Sequence, residues 1–140
     1  MVDENPSIIS HVSLGTNDFP AAREFYVKVL KTLGCRIIME HVGAAAFGKA
    51  YPEFWIQTPF DGAIASRGNG VHVGFVAQSK AEVEAFFKAA IAAGATEDGD
   101  PGHRHDYGEP YYGCFVRDPD GNKIEAAFWD EDLAKKLGMA

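Results

Sequence analysis

Residues 11–34 read HVSLGTNDFPAAREFYVKVLKTLG and residues 72–94 read HVGFVAQSKAEVEAFFKAAIAAG, so the chain contains one unit twice. At an offset of 61 positions, apolar and aromatic residues coincide along the unit, and His11 coincides with His72. A repeat of this length predicts two copies of one supersecondary structure, each too small to bury its apolar face alone. Because the repeat carries a histidine, it also indicates a site that uses both copies.

Each copy is predicted to have the order β-α-β-β-β. The apolar stripe of each helix, the cap residues and the alternation of the strands give these elements. In the first copy we expect a strand over 8–15, a helix that follows Asp18 and ends at Gly34, and strands over 36–40, 43–48 and 53–58. In the second copy we expect a strand over 70–77, a helix that begins with the Ser79–Glu82 capping box, and strands over 95–97, 111–117 and 122–128.

The length suits one compact domain over 1–140. Module one covers about 8–59 and module two about 70–128, joined by a linker at 60–69 that contains Asp-Gly and Gly-Asn-Gly turn signals. A short C-terminal helix over about 130–138 follows, capped by Asp130. We predict an α+β fold in which the modules form a mixed, open eight-stranded sheet or incomplete barrel around a cleft.

Composition argues against several classes of partner. The net charge is −7, and acidic residues are spread along the chain, which disfavours nucleic acid and anionic membrane surfaces. No apolar run approaches the roughly 20 residues that cross a bilayer. Cys35 and Cys114 are isolated rather than in a CxxC motif, so two reduced thiols and a cytoplasmic location are expected.

The two repeated histidines predict a metal site, because imidazole is a common ligand and two equivalent copies can meet across a pseudo-two-fold axis. Glu125 is the best third ligand, since a carboxylate within the apolar strand 122–128 is costly to bury unless it is paired or metal-bound. The alternatives are a pair of histidines retained from the duplication without a function, and a Glu125 side chain that faces solvent.

Two segments resemble one known family. Residues 115–125, FVRDPDGNKIE, are similar to the closing hairpin F-x-x-D-P-D-G-x-x-I-E of the vicinal oxygen chelate superfamily. His11 and the Phe25–Tyr26 pair stand where that family has its first-strand ligand and its aromatic pair. The superfamily includes glyoxalase I, bleomycin-resistance proteins and extradiol dioxygenases, and the resemblance covers nearly the whole chain.

The resemblance implies paired βαβββ modules and a divalent ion (Fe, Mn, Zn or Ni) held by His11, His72 and Glu125. This set resembles the two-histidine, one-carboxylate triad of extradiol dioxygenases. Glyoxalase I has a fourth ligand, a glutamate on the fourth strand. Here Trp55 stands nearest that position and Gln57 lies on the same face, so a glyoxalase I proton transfer lacks its base.

Substrate-binding residues are expected on that strand and in the polar loop over 98–112. Loops at the mouth of a cleft often determine ligand choice. The loop could equally be a solvated surface loop, and Tyr112 could equally pack in the core. The predicted substrate-binding residues are Trp55, Gln57, His105, Tyr107 and Tyr112.

Two functions follow from these features. The first is a metal-dependent enzyme that chelates the vicinal oxygens of a small organic substrate, closer to a dioxygenase than to glyoxalase I. The second is a non-catalytic binding or sequestration protein of the bleomycin-resistance type. We expect a homodimer, because a sheet with open edges is usually paired or covered. The sequence leaves open whether the modules pair within one chain or across two.

Overall fold

A computed structural model describes residues 6–139. The first module contains strands β1 (Val12–Gly15), β2 (Arg36–His41), β3 (Ala44–Gly48) and β4 (Phe54–Gln57) with helix α1 (Phe19–Lys31). The second contains β5 (His72–Val76), β6 (Thr96–Glu97), β7 (Tyr111–Arg117) and β8 (Lys123–Trp129) with helix α2 (Lys80–Ala92). A 3-10 turn covers His105–Tyr107, and a last short helix, α3, covers Glu131–Lys136.

The strands form two four-stranded sheets of the same topology, β1-β4-β3-β2 and β5-β8-β7-β6. In each sheet the first strand pairs parallel to the fourth, and the other pairs are antiparallel. Neither sheet closes on itself, so β1 and β5 are both edge strands. The predicted α+β fold of two βαβββ modules is therefore confirmed, with the strands divided between two open sheets.

The predicted caps start the helices. The Asp18 carboxylate accepts a hydrogen bond from the Ala21 backbone N–H, and the Ser79 hydroxyl accepts one from that of Glu82. The Glu82 carboxylate in turn accepts from the N–H of Gln78, one residue earlier than an ideal capping box. After α1 and α2 the chain turns through a glycine with positive φ, which is 80° at Gly34 and 106° at Gly94.

One face of each sheet packs against the helices and forms a shared core. Buried residues of α1 and α2 meet the inward side chains of both sheets; examples are Tyr26, Val29, Phe47, Ile56, Val83, Phe86 and Val116. Phe54 of the first sheet contacts Phe75 of the second, with ring centroids 5.0 Å apart. Neither α1 nor α2 covers the opposite face of either sheet, and the polar side chains of the candidate site lie there.

A buried carboxylate joins the two modules. Asp118, in the turn between β7 and β8, accepts hydrogen bonds from the Tyr26 hydroxyl at 2.6 Å and from the side chain of Asn122 at 3.0 Å. Its other oxygen accepts the backbone N–H groups of Asp120 and Asn122. The Asn122 amide also donates to the carbonyl of Gly15 at the end of β1. The turn is thus fixed both to itself and to the first module.

The first strand is shorter than the predicted span of 8–15. β1 begins at Val12, which pairs with Phe54, the first residue of β4. For β1 to start earlier, residues 50–53 would have to extend β4 and pair with residues 8–11. The chain bends at residues 50–53 instead, and Pro52 has no N–H to donate. Without a partner strand, Ile8 and Ile9 remain 98% and 59% exposed.

None of the helices in the described range 6–139 has both the length and the apolar character that a bilayer crossing requires.

We expect Tyr26→Phe to lower the free energy of unfolding by about 1.5–3 kcal/mol, because it removes a hydrogen bond to a buried charged group. Urea titration near pH 7 measures this change. Tyr51→Phe is the matched control, since Tyr51 is largely exposed and should have no measurable effect. Equal stabilities of the Tyr26 variant and the natural chain would contradict the assigned role of the bond.

The same variant should change the response to alkaline pH. Burial, followed by the neighbouring Asp118 charge, raises the pKa of Tyr26 well above its ordinary value. The stability that Tyr26 contributes is therefore complete below pH about 10, where free tyrosine titrates, and declines as the pH rises above it. Tyr26→Phe should show a smaller decline than the natural chain, because Tyr111 and Tyr112, whose pKa values are also raised, remain. Tyr51→Phe should retain the full decline.

Candidate functional site

Two of the predicted metal ligands lie side by side on the open face of the second sheet. β5 and β8 are parallel neighbours in which Gly74 is the partner of Glu125. This register brings Nε2 of His72 to 3.1 Å from Oε1 of Glu125. The carboxylate is only 8% exposed, whereas the imidazole is half exposed. A buried carboxylate oxygen and a ring nitrogen therefore lie next to each other, and we call His72 and Glu125 the donor pair.

Tyr111 holds the second oxygen of this carboxylate. Its hydroxyl donates to Oε2 of Glu125 at 2.5 Å. Burial, followed by the hydrogen bond to Glu125, raises the pKa of Tyr111 well above that of a free phenol. The tyrosine thus stays a protonated donor near neutral pH, and Oε1 is the carboxylate oxygen that faces His72.

Two glycines make room for this arrangement. A Cβ atom at Gly74 would lie 3.1 Å from Oε1 of Glu125, tighter than most real contacts. A Cβ atom at Gly113 would collide with the hydroxyl of Tyr111. Both glycines lie on the same open face as the two side chains they border. The strands therefore provide a recess that fits the Tyr111–Glu125 pair.

Phe115 forms the floor beside the histidine. It is the cross-strand partner of Glu125 in β7, and its ring lies 6.0 Å from the His72 ring. Two cations cover the same ring, with Lys123 Nζ at 4.9 Å and the Arg104 guanidinium at 5.6 Å from its centroid. The donor pair therefore lies between an apolar floor and positively charged side chains.

His11, the third predicted metal ligand, lies away from His72 and Glu125 in the structure. It is an exposed residue immediately before β1, and its Nδ1 is 3.0 Å from the hydroxyl oxygen of Ser10. Gly15, at the opposite end of β1 from His11, accepts a hydrogen bond from Asn122. The next residue, Lys123, is the strand partner of His72. His72 therefore lies near the Gly15 end of β1, and His11 lies at the other end. Within residues 6–139, no group of three His, Cys, Asp or Glu side chains is placed to share a metal ion.

Trp55 and Gln57 occupy the open face of the first sheet, as their alternation along β4 predicts. The Trp55 indole donates to the carbonyl of Pro52 at 3.2 Å and stacks on His41, with ring planes 9° apart. Trp55 and His11 border one pocket of about 630 Å³, which also takes in residues 7–10. These residues therefore accompany His11 rather than the His72–Glu125 pair.

The three residues predicted from the polar loop lie apart from that pair. His105 is fully exposed. Tyr107 is largely exposed and packs its ring against Tyr111, with centroids 4.9 Å apart. The Tyr112 hydroxyl donates to Glu84 of α2, so this side chain faces the helix and not the open face of the sheet. Tyr112 therefore faces the opposite side of β7 from Tyr111, because alternate residues of a strand face opposite sides.

Sequence reasoning missed the roles of Tyr111 and Phe115, although a signal was present. The tight turn at residues 118–121 pairs Arg117 with Lys123, and from that register Phe115 is opposite Glu125. Tyr111 has the same parity as Phe115 and therefore lies on the same face. The register of the hairpin, counted back from its turn, identifies both residues.

An apolar cavity of about 500 Å³ lies between the two edge strands. Its walls come from β1, β3, β4, β5 and the end of α1, and the segment before β1 borders it. The aliphatic and aromatic lining includes Ile9, Val12, Leu30, Leu33, Phe47, Phe54, Val73 and Phe75. His72 and Gly74 also border this cavity, so it adjoins the donor pair.

Comparisons with known proteins agree on one family. Residues 8–126 match the model of the Glyoxalase/Bleomycin resistance protein/Dioxygenase superfamily. A solved glyoxalase/bleomycin resistance protein from Albidiferax ferrireducens T118 is 39% identical, with a TM-score of 0.81 over 87% of this chain and 99% of that one. No curated protein matches the chain.

Two more distant structures share the fold. A glyoxalase/bleomycin resistance protein/dioxygenase family enzyme from Burkholderia phytofirmans PsJN is 21% identical, with a TM-score of 0.69 over 88% of this chain and 99% of that one. Lactoylglutathione lyase from Agrobacterium tumefaciens is 24% identical, with a TM-score of 0.61 over 89% of this chain and 95% of that one. With the family model covering most of its length, the chain belongs to the glyoxalase/bleomycin resistance protein/dioxygenase superfamily.

Proposed function

We propose that this protein is a small metal-dependent enzyme that chelates the vicinal oxygens of a small organic substrate at a divalent ion. The observation that carries the proposal is the His72–Glu125 pair, in which a ring nitrogen lies 3.1 Å from a buried carboxylate oxygen. An imidazole and a carboxylate are the donors that a non-haem Fe, Mn, Zn or Ni site uses.

The donor pair fits such an ion chemically. Tyr111 occupies Oε2 of Glu125, which leaves Oε1 as the oxygen available to a metal. Gly74 keeps the space beside Oε1 free of a side chain. An outer hydrogen bond that orients a ligating carboxylate is typical of metal sites. His72 and Glu125 would therefore hold the ion from one chain.

We further propose that His11 of a second copy completes the ligand set in a homodimer. Support comes from the surroundings of His11, which is exposed beside the exposed apolar residues Ile8 and Ile9. Both β1 and β5 also present unpaired edges, which proteins usually cover. A two-fold dimer would bring the open face around Trp55 against the open face around Glu125 and form two equivalent sites.

A divalent ion in such a site acts as a Lewis acid toward two adjacent substrate oxygens. The residues of the chain would provide its surroundings. Tyr111 keeps its proton and fixes Glu125, while Phe115 excludes water from one side. Trp55 would stand where glyoxalase I has its fourth ligand, and an indole N–H is a donor that cannot act as a base. We therefore favour a dioxygenase-like reaction over the glyoxalase I isomerisation.

The second candidate is a non-catalytic binding protein of the bleomycin-resistance type. The apolar cavity of about 500 Å³ between the edge strands favours it, because small-molecule sites are concave and mostly apolar. This function requires no metal. This second function would be supported if the protein binds a flat aromatic ligand but takes up none of Fe, Mn, Zn and Ni.

Glu125→Gln should weaken binding of Mn²⁺ and Zn²⁺ by more than the about 10–100-fold that loss of an outer-shell partner causes. The amide keeps the volume and can still accept from Tyr111, so the fold should persist. Calorimetric titration of tag-free protein measures metal affinity, and circular dichroism measures the fold. Glu84→Gln on α2 is the control. Unchanged metal affinity in Glu125→Gln would remove this residue from the site.

Mixing two inactive variants tests whether the site is shared. His11→Ala and Glu125→Gln should each lose tight metal binding when alone. After unfolding and refolding together, random pairing should restore about a quarter of the natural metal content, because half of the dimers are mixed and each has one intact site. No restoration in mixed dimers confirmed by mass spectrometry would show that each chain builds its own site.

Metal-loaded protein should not convert methylglyoxal and glutathione to lactoylglutathione, because no carboxylate stands at position 55. Absorbance of the thioester product measures the reaction for Fe, Mn, Zn and Ni in turn. Trp55→Glu is an informative companion, since it introduces the missing type of group. Turnover by the natural chain in the ordinary range of about 1–1000 per second would overturn this expectation.

A further inference from the structure

A group of basic side chains surrounds a pocket next to the donor pair. Arg67, Arg117 and Lys123 line an open pocket of about 720 Å³, together with His72 and the glycine-rich segment 66–71. Arg67 lies over the β7–β8 turn, where a Cβ atom at Gly121 would be 3.2 Å from its Cδ. We call this the basic pocket.

The basic pocket has too few acidic partners of its own. Asp98 is the carboxylate that serves both Arg117, at 3.1 Å, and Lys123, at 3.6 Å. Arg67 makes no ion pair or hydrogen bond within residues 6–139. Asp98 thus serves two of the three cations, and Arg67 has no carboxylate partner among the described residues, in a chain that has 20 acidic and 13 basic residues.

Two cations of the basic pocket repel each other across the sheet. Arg117 and Lys123 are direct cross-strand partners. Like charges in that position destabilise a strand pair. The Asp98 carboxylate, the Phe115 ring beneath Lys123 and the Gly121 carbonyl that accepts from Arg117 offset the repulsion in part. An anion bound among Arg67, Arg117 and Lys123 would reduce this repulsion and accept charge-assisted hydrogen bonds.

The pocket also lies at a useful distance from the donor pair. Lys123 is two residues before Glu125 on the same strand face, which separates their Cα atoms by about 6.5–7 Å. At the opposite end of that face, another pocket is lined by Trp129 and the acidic residues at positions 130–132. The face therefore has a basic end and an acidic end, with the Glu125 carboxylate between them.

We propose that the basic pocket binds an oxyanion, a carboxylate or phosphate group, of the substrate. This inference rests on the proposed function, because it assigns the substrate a pair of oxygens for the ion and an anionic group toward Arg67 and Lys123. It narrows the substrate class to small organic anions. Uncharged aromatic compounds would lack the second anchor.

Titration with simple anions tests the proposal independently of catalysis. At low ionic strength, inorganic phosphate or succinate should bind to the full-length protein, while succinamide, the uncharged analogue of succinate, should not. Arg67→Gln and Lys123→Gln should each weaken that binding about tenfold. Lys88→Gln, which removes an exposed cation from the outer face of α2, should leave it unchanged. Preference for phosphate or for succinate identifies the type of oxyanion.

Separate readouts distinguish this inference from the proposed function. If neither anion binds, or if all three variants bind alike, the basic pocket is a solvated surface and the inference is wrong, whatever the affinity for Mn²⁺. If anion binding depends on Arg67 and Lys123 in protein that binds none of the four metals, the pocket is supported and the proposed metal chemistry fails. Arg67→Gln should not change the unfolding midpoint, since Arg67 makes no hydrogen bond or ion pair with the other described residues.

Discussion

The hydrogen bonds that surround the Asp118 carboxylate are the interaction on which the rest of this structure depends. Four donors satisfy a side chain that is almost completely buried, and two of them come from the backbone of its own turn. Burial raises the pKa of Asp118, and the bonds from Tyr26 and Asn122 act in the opposite direction. A charge in this position would be costly without those bonds. One cluster therefore fixes the β7–β8 turn and attaches it to α1.

The position of Glu125 follows from the same cluster. The turn sets the β7–β8 register, and that register puts Glu125 opposite Phe115 and within reach of Tyr111. A shift of the hairpin by one residue would move the carboxylate to the helix-facing side, where it would have no partner. The stability of the turn and the geometry of the candidate site are thus connected through Asp118.

Much of the fold could be predicted from the sequence because its signals are local. The duplicated unit, the apolar stripes of the helices and the caps at Asp18 and Ser79 each depend on a few neighbouring residues. The proximity of His72 to Glu125 followed from two strands of one module. The predicted length of the first strand was wrong, because it depends on the partner strand β4. Pro52 lies just before β4 and interrupts the pairing.

The location of His11 could not be obtained from the repeat. Equivalent residues of two modules meet only if they lie near the axis that relates the modules, and a sequence offset contains no information about that distance. Here β1 and β5 are the edges at which the two halves adjoin, and Asn122 ties the end of β1 to the region where β5 begins. The face of Tyr112 was predictable, by contrast, since it needs only the hairpin register.

The two glycines in the recess give a rule for reading relatives of this chain. A methyl group at position 74 would crowd Oε1 of Glu125, and one at position 113 would displace the Tyr111 hydroxyl. Homologues that keep the glutamate but carry larger residues at both places would have to reshape the surrounding backbone to use it in the same way. The presence of both glycines, rather than the glutamate alone, is therefore the feature by which members with this site can be sorted from those that retain only its fold.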